Sequence, residues 1–251
     1  MRARLVSKTR HSVPASEPAP DRWRPALTEL ALVLTGLVTG IAVLFVLRAL
    51  GVWPNSSRGL GLASGPMITG IAATFYWFAS TRMDPVVPVF AQPLPRAPVL
   101  RTIAVTLIAI ALALVGSAAI GWLVDLLGAP VSEQASILEI VAGWHDGTDR
   151  VTMMVLGVCA VVLAPFAEEC LFRGLLFARL RRSSGRPVAY VVTAIGFAAI
   201  HGNVAGLVVY VWLGLVFAWS MERTGRVGAA IAVHMGNNAF AFGLLLVAPP
   251  V

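Results

Sequence analysis

The stretch ALTELALVLTGLVTGIAVLFVLRAL, residues 26–50, decides the fold class of this chain, because Glu29 and Arg48 are its only charged side chains. A helix needs about 20 largely apolar residues to cross the roughly 30 Å of hydrocarbon in a bilayer, so the stretch predicts a transmembrane helix. Six further apolar runs follow it, at residues 59–80, 102–127, 151–180, 188–202, 204–221 and 227–247. We therefore predict an all-α polytopic transmembrane helix bundle, with about seven spanning helices and a short interfacial helix within residues 130–148.

The composition of the whole chain supports a membrane location. Hydrophobic residues make up 58% of the 251 residues and charged residues 12%, whereas a soluble domain is nearer one half apolar and one quarter charged. Too few charges remain to cover a globule of this size, so membrane lipid is expected to contact most of the surface. The polar, proline-rich residues 1–25 are predicted to form a disordered basic tail, and residues 26–251 one membrane-embedded domain.

The basic residues predict the orientation of the chain in the membrane. They lie in the N-terminal tail and in the connections after the second, fourth and sixth apolar runs, while the third connection is acidic. Because cytoplasmic connections carry the excess of Arg and Lys, the N-terminus is predicted to be cytoplasmic and the C-terminus to lie on the far side. The Ala-, Val-, Leu- and Arg-rich composition indicates a bacterium, so the expected location is the bacterial plasma membrane. The net charge of +7 is spread over several segments, which does not favour a nucleic-acid partner.

Ionisable side chains at bilayer depth are the candidate functional residues, since each costs at least ~2.5–3.5 kcal/mol to insert. Three short motifs hold them and their neighbours: Glu168-Glu169-x-x-x-Arg173, Phe197-x-x-x-His201 and His234-x-x-x-Asn238. Glu169 and Arg173 are four residues apart and share one helix face, which predicts an ion pair. Glu168 points about 100° away from Glu169 and is predicted to face other groups.

These side chains fit the hydrolysis of a peptide bond without a covalent intermediate. In an apolar surrounding, Glu168 can act as a general base on water, with His201 assisting. His234 and Asn238 can donate hydrogen bonds to the oxygen that becomes negative, where the loss of one donor typically costs ~10²–10³ in rate. A divalent metal such as zinc is the rival interpretation, since Glu168, His201 and His234 are a known type of catalytic ligand set. The spacing alone leaves both open.

The three motifs together, in this order, resemble the signature of the CAAX-protease and bacteriocin-processing family, which includes the type II CAAX prenyl endopeptidases. The resemblance covers residues 150–248, the motif-bearing core of the membrane domain. It implies an intramembrane endopeptidase that cuts a membrane-associated protein or peptide, for example a prenylated CAAX tail. It implies the same roles as above, with Glu168 as the base, His201 assisting it, and His234 and Asn238 as oxyanion donors. It also implies that Glu169 and Arg173 hold the geometry of the site. The requirement for a metal stays open.

Two other functions also remain open. A proton-coupled transporter could use the same buried carboxylates and histidines as a proton relay, and would show flux that depends on a pH gradient. A non-catalytic membrane immunity or scaffold protein could retain the same residues, and Glu168→Ala would then leave its function intact. Two further positions receive structural interpretations: Glu29 as a side chain that reaches the membrane surface, and Pro165 as the cause of a kink one turn before Glu168.

Overall fold

The computed structural model describes residues 23–56, 58–83, 94–128 and 135–247, and the regular structure in these ranges is helical. Within them eight helices follow one another: α1 (Trp23–Ala49), α2 (Ser64–Met83, preceded by the 3₁₀ turn Gly59–Ala63), α3 (Val99–Leu126), α4 (Ala135–His145), α5 (Arg150–Ser183), α6 (Arg186–Ile200), α7 (Leu207–Thr224) and α8 (Val227–Val247). The all-α prediction is confirmed. Most of the predicted tail lies outside the described residues, and its last three residues are the first three of α1.

Among the described residues, five helices are long and apolar enough to cross a membrane, namely α1, α3, α5, α7 and α8. Helix α6, with 15 residues, is shorter, and α2 is not one of the five. The chain is an integral membrane protein, while the predicted number of seven spans is not confirmed. A short helix, α4, occupies the connection in which an interfacial helix was expected.

Helix α5 lies at the centre of the bundle and packs against α2, α6 and α8. Its apolar segment is 44% buried, against 11% for the corresponding segment of α3. Phe172 of α5 joins Phe197 of α6 and Phe217 of α7 in one buried core. Large side chains of α3, such as Leu107 and Val115, point outward instead, where lipid tails replace protein as the apolar surrounding. Helix α5 is therefore far more enclosed by protein than α3.

A wide turn interrupts α5 just before its motif. In the π-helical segment Cys159–Leu163, the N–H of Ala164 donates to the carbonyl of Cys159, five residues back. The next bond in this register needs an N–H at Pro165, which proline lacks. Neither Ala164 nor Pro165 therefore supplies a helical hydrogen bond to the carbonyl of Ala160. The disturbance predicted at Pro165 thus takes the form of a wide turn, a feature found frequently at functional sites.

Glu29 has a structural role, as expected, but its carboxylate is buried between helices. The residue is buried, and its Oε1 accepts a hydrogen bond from Nε of Arg179 on α5 at 2.8 Å. Its Oε2 accepts a hydrogen bond from the hydroxyl of Tyr76 on α2. One buried carboxylate of α1 therefore connects the first two helices to the end of α5.

Candidate active site

The six predicted site residues lie on or next to three helices. Glu168, Glu169 and Arg173 are in the middle of α5. His201 directly follows the last residue of α6, and His234 and Asn238 are one turn apart on α8. The structure connects five of them into two groups that adjoin through the neighbouring residues Glu168 and Glu169. The sixth, Asn238, contacts the backbone of α5.

The first group is built around an ion pair inside α5. Nη1 of Arg173 donates to Oε1 of Glu169 at 3.0 Å, and both side chains are fully buried. Nη2 of Arg173 donates to the carbonyl of Gly214 on α7 at 2.8 Å. The guanidinium also lies over the rings of Phe197 and Phe217, at 4.8 and 5.3 Å from their centroids, an arrangement that favours a cation. The predicted pair is thus present, and three helices hold its arginine.

His234 completes this group from α8. Its Nδ1 lies 3.0 Å from Oε1 of Glu169, and its ring stacks on Phe217 with 4.5 Å between centroids. A carboxylate that is paired with an arginine only accepts hydrogen bonds, so Nδ1 of His234 carries the hydrogen. In the neutral ring Nε2 then has a lone pair, and it becomes a donor only when the ring is doubly protonated. The role of oxyanion donor expected of His234 therefore requires an imidazolium, for which Glu169 is a directly bonded counterion.

The second group is Glu168 with His201. Glu168 is 8% exposed, and its Oε2 is buried without a hydrogen-bond partner among the described residues. Nε2 of His201 lies 4.0 Å from this oxygen, beyond direct hydrogen-bond distance. Nδ1 of His201 lies 2.8 Å from the carbonyl of Phe197, which can only accept, so Nδ1 carries the hydrogen and Nε2 has the lone pair. Oε2 of Glu168 and Nε2 of His201 are therefore two hydrogen-bond acceptors that lie close together without a direct hydrogen bond between them.

Tyr210 of α7 is a site residue that sequence reasoning missed. Its ring stacks on His201, with 4.1 Å between the centroids and 24° between the planes. The stack and the bond to the Phe197 carbonyl together fix both the plane and the tautomer of the imidazole. No spacing pattern connects Tyr210 with His201, because the two residues lie on separate helices joined by a turn. Only the packing of α6 against α7 reveals the contact.

Asn238 is held by the wide turn of α5. Its Nδ2 donates to the carbonyl of Ala160 at 2.8 Å, and its Oδ1 accepts from Nδ2 of Asn237 at 3.1 Å. Ala160 is the residue whose carbonyl lacks a helical partner because of Pro165. The carboxamide is therefore oriented by a backbone group that the proline makes available. One hydrogen of the Nδ2 group remains for another acceptor.

The zinc alternative requires three ligands around one point. Both histidines do engage Nδ1 with a carbonyl or carboxylate oxygen, as metal-binding histidines usually do. However, the part of the chain that the structure describes contains no group of three or more His, Cys, Asp or Glu side chains arranged to hold a metal ion. Glu168, His201 and His234 in this arrangement do not fit a shared ion, and we derive no catalytic step through a metal.

Comparison with known proteins finds a family match for this part of the chain. Residues 150–240 match the type II CAAX prenyl endopeptidase family described as Rce1-like, which confirms the resemblance inferred from the three motifs. The chain is 26% identical over 95 residues to YdiL of Bacillus subtilis (strain 168), assigned as a membrane peptidase. It is 29% identical over 94 residues to the membrane-embedded CAAX protease MroQ of Staphylococcus aureus (strain USA300). The matched segments are 38% and 35% of this chain, and 38% of the length of each relative. No solved structure matches the chain.

Proposed function

We propose that this integral membrane protein, whose residues 150–240 belong to the Rce1-like type II CAAX prenyl endopeptidase family, is an intramembrane endopeptidase that uses Glu168 to activate water. The observation that carries the proposal is the separation of 4.0 Å between Oε2 of Glu168 and Nε2 of His201. A water molecule that donates one hydrogen to each of these two acceptors would lie at about 2.8 Å from both. Its oxygen lone pairs would then point away from both groups, towards a substrate carbonyl.

The proposed reaction needs only the groups described above. The water oxygen forms a bond to the carbonyl carbon of the peptide while Glu168 accepts the proton. The oxygen that becomes negative is stabilised by Nε2–H of the His234 imidazolium and by the remaining Nδ2 hydrogen of Asn238. The C–N bond then breaks, and the proton held by Glu168 passes to the leaving amine. Glu169 and Arg173 do not touch the substrate and act by positioning His234.

The proposed substrate is a membrane-associated protein or peptide. Glu168 lies on a central membrane helix, so the peptide bond must enter the bundle, and a segment anchored in the membrane reaches it more readily than a soluble one. A prenylated CAAX tail is one such substrate, and an apolar leader peptide is another. We further propose that the protein lies in a bacterial plasma membrane with its N-terminus in the cytoplasm, as the basic connections indicate. Reporter fusions at both termini test this orientation.

The decisive experiment compares Glu168→Gln with wild type in the same cells. Glutamine keeps the size of the side chain but is a far weaker base, so we expect new protein termini in wild-type membranes and none with the variant. Glu139→Gln is the matched control, because Glu139 is an exposed residue of α4 whose ion pair, among the described residues, is with Arg58 at 3.6 Å. Equal cleavage by the Glu168 variant would refute the proposal. A flux that follows a pH gradient, without any cleaved product, would favour a transporter.

A further inference from the structure

A groove with two arginines at one end runs between α3 and α8. Its volume is about 560 Å³. Arg96, three residues before α3, and Arg226, one residue before α8, lie at this end. The remaining lining comes from the first turns of both helices, including Ile103 and Leu107 of α3. The described lining contains no Asp or Glu. The groove is therefore cationic at one end and apolar along its length.

The two arginines still have hydrogen-bond donors to offer. Nη2 of Arg226 donates to the carbonyl of Ala97 at 3.2 Å, which holds the side chain in place. Its Nε is buried, so the hydrogens that it can offer to a ligand are those at the end of the guanidinium that the bond to Ala97 leaves over. Arg96 is exposed. A guanidinium pair of this kind matches the geometry of a phosphate, which accepts several N–H bonds at once.

The position of the groove on the bundle identifies the ligand class. Ile103 and Leu107 are 51% and 62% exposed, and they lie on α3, whose apolar segment is less buried than those of the other four candidate spans. In a membrane these side chains contact acyl chains. Arg96 and Arg226, which lie just before the first residues of α3 and α8, are then near the lipid headgroups. Basic pockets between transmembrane helices are known to bind anionic lipid headgroups.

We propose that this groove binds one anionic phospholipid, with its phosphate at Arg96 and Arg226 and an acyl chain along Ile103 and Leu107. The proposal is independent of the proteolytic function, because the groove lies on the α3 side of α8 and shares no residue with the predicted site. Free phosphate has the same head chemistry but no acyl chain, so the two sources are distinguished by experiment.

The test measures thermal unfolding of the full chain, purified in a neutral detergent, with three additions. Phosphatidylglycerol should raise Tm and remain bound in native mass spectra, while phosphatidylcholine and inorganic phosphate should do neither. Replacing Arg96 and Arg226 by Gln should lower the affinity for phosphatidylglycerol about five-fold per arginine, the ratio that corresponds to ~1 kcal/mol per basic residue. Arg223→Gln is the matched control, since Arg223 is a nearby exposed arginine that lies over the Trp219 ring and does not line the groove.

A second variant blocks the groove without removing charge. A Cβ atom added at Gly228, which lines the groove, meets no atom within 4 Å, so the larger side chain of Gly228→Phe starts from open space and is expected to occupy the groove. A Cβ atom added at Gly243 on the same helix also meets no atom within 4 Å, and Gly243 lies outside the groove, so Gly243→Phe is the control. We expect only the first to abolish the lipid-induced rise in Tm. Equal stabilisation by phosphatidylcholine, a full effect of phosphate alone, or unchanged lipid binding in both the arginine and Gly228 variants would each overturn the proposal.

Discussion

Nδ1 of His234 and Oε1 of Glu169 lie 3.0 Å apart, so one buried oxygen of α5 binds both the imidazole of α8 and the guanidinium of Arg173. This shared oxygen sets the tautomer of His234 and provides the negative charge beside it. Residues 150–240 match the Rce1-like family, and in the reaction proposed above this contact is the means by which Glu169 positions His234 without touching the substrate.

Glu169→Gln should destabilise the protein by about 3–5 kcal/mol, because it leaves Arg173 as a buried charge without its counterion. Replacing both residues, as in Glu169→Gln with Arg173→Met, should cost less than the sum of the two single changes. Denaturant unfolding in mixed micelles measures this coupling as a double-mutant cycle. Additive effects of the two changes would show that Glu169 and Arg173 do not stabilise each other in the folded protein.

Pro165→Ala should lower kcat while leaving KM nearly unchanged. Alanine restores an N–H that can bond to the carbonyl of Ala160 and so competes with Asn238 for it. The decrease should be smaller than the ~10²–10³ that follows loss of a whole oxyanion donor. Steady-state kinetics on a cleaved peptide separate the two constants. Pro187→Ala, in the first turn of α6, is the control; an equal effect of both changes would remove the special role of Pro165.

Glu29→Gln should lower the stability of the protein more than Tyr76→Phe. The first change leaves the largely buried Arg179 without its carboxylate partner, at a cost of about 3–5 kcal/mol. The second removes one hydrogen bond to a charged group, which is worth about 1.5–3 kcal/mol. Thermal unfolding in detergent gives both values, with Glu139→Gln at an exposed pair expected to change stability by less than about 1 kcal/mol. The reverse order would mean that the tyrosine, and not the arginine, determines the position of α1.

Proteolytic activity should survive strong chelators, because the described residues assemble no three-ligand metal group. Purified protein is assayed before and after treatment with EDTA and 1,10-phenanthroline, and its metal content is measured on the same sample. A loss of activity that one equivalent of zinc restores would contradict the mechanism proposed for Glu168 and His201.

Local spacing predicted the parts of the site that depend on a single helix. The contact between Glu169 and Arg173 follows from their separation of four residues and is present at 3.0 Å. Contacts between helices could not be read in this way. The bond from Asn238 to Ala160 depends on a wide turn that ordinary helical periodicity does not reveal.

Longer-range contacts were still less accessible to sequence reasoning. Glu29 and Arg179 are 150 residues apart, and only the packing of α1 against α5 brings them together. Hydropathy identified the membrane helices, but it could not decide the number of spans, because the 15 residues of α6 are fewer than a straight crossing requires.

The ion pair between Glu169 and Arg173 also bears on how the chain enters the membrane. Both residues belong to one helical turn, so they neutralise each other as soon as that turn forms, before α6, α7 and α8 have been synthesised. The segment can therefore move from the translocation channel into lipid with Glu168 as the one carboxylate of the motif that has no counterion. Inserting this carboxylate costs about 2.5–3.5 kcal/mol, which the apolar residues of the helix can outweigh. A counterion on α6, α7 or α8 would become available only after α5 has been made, whereas Arg173 lies on the same helix as Glu169.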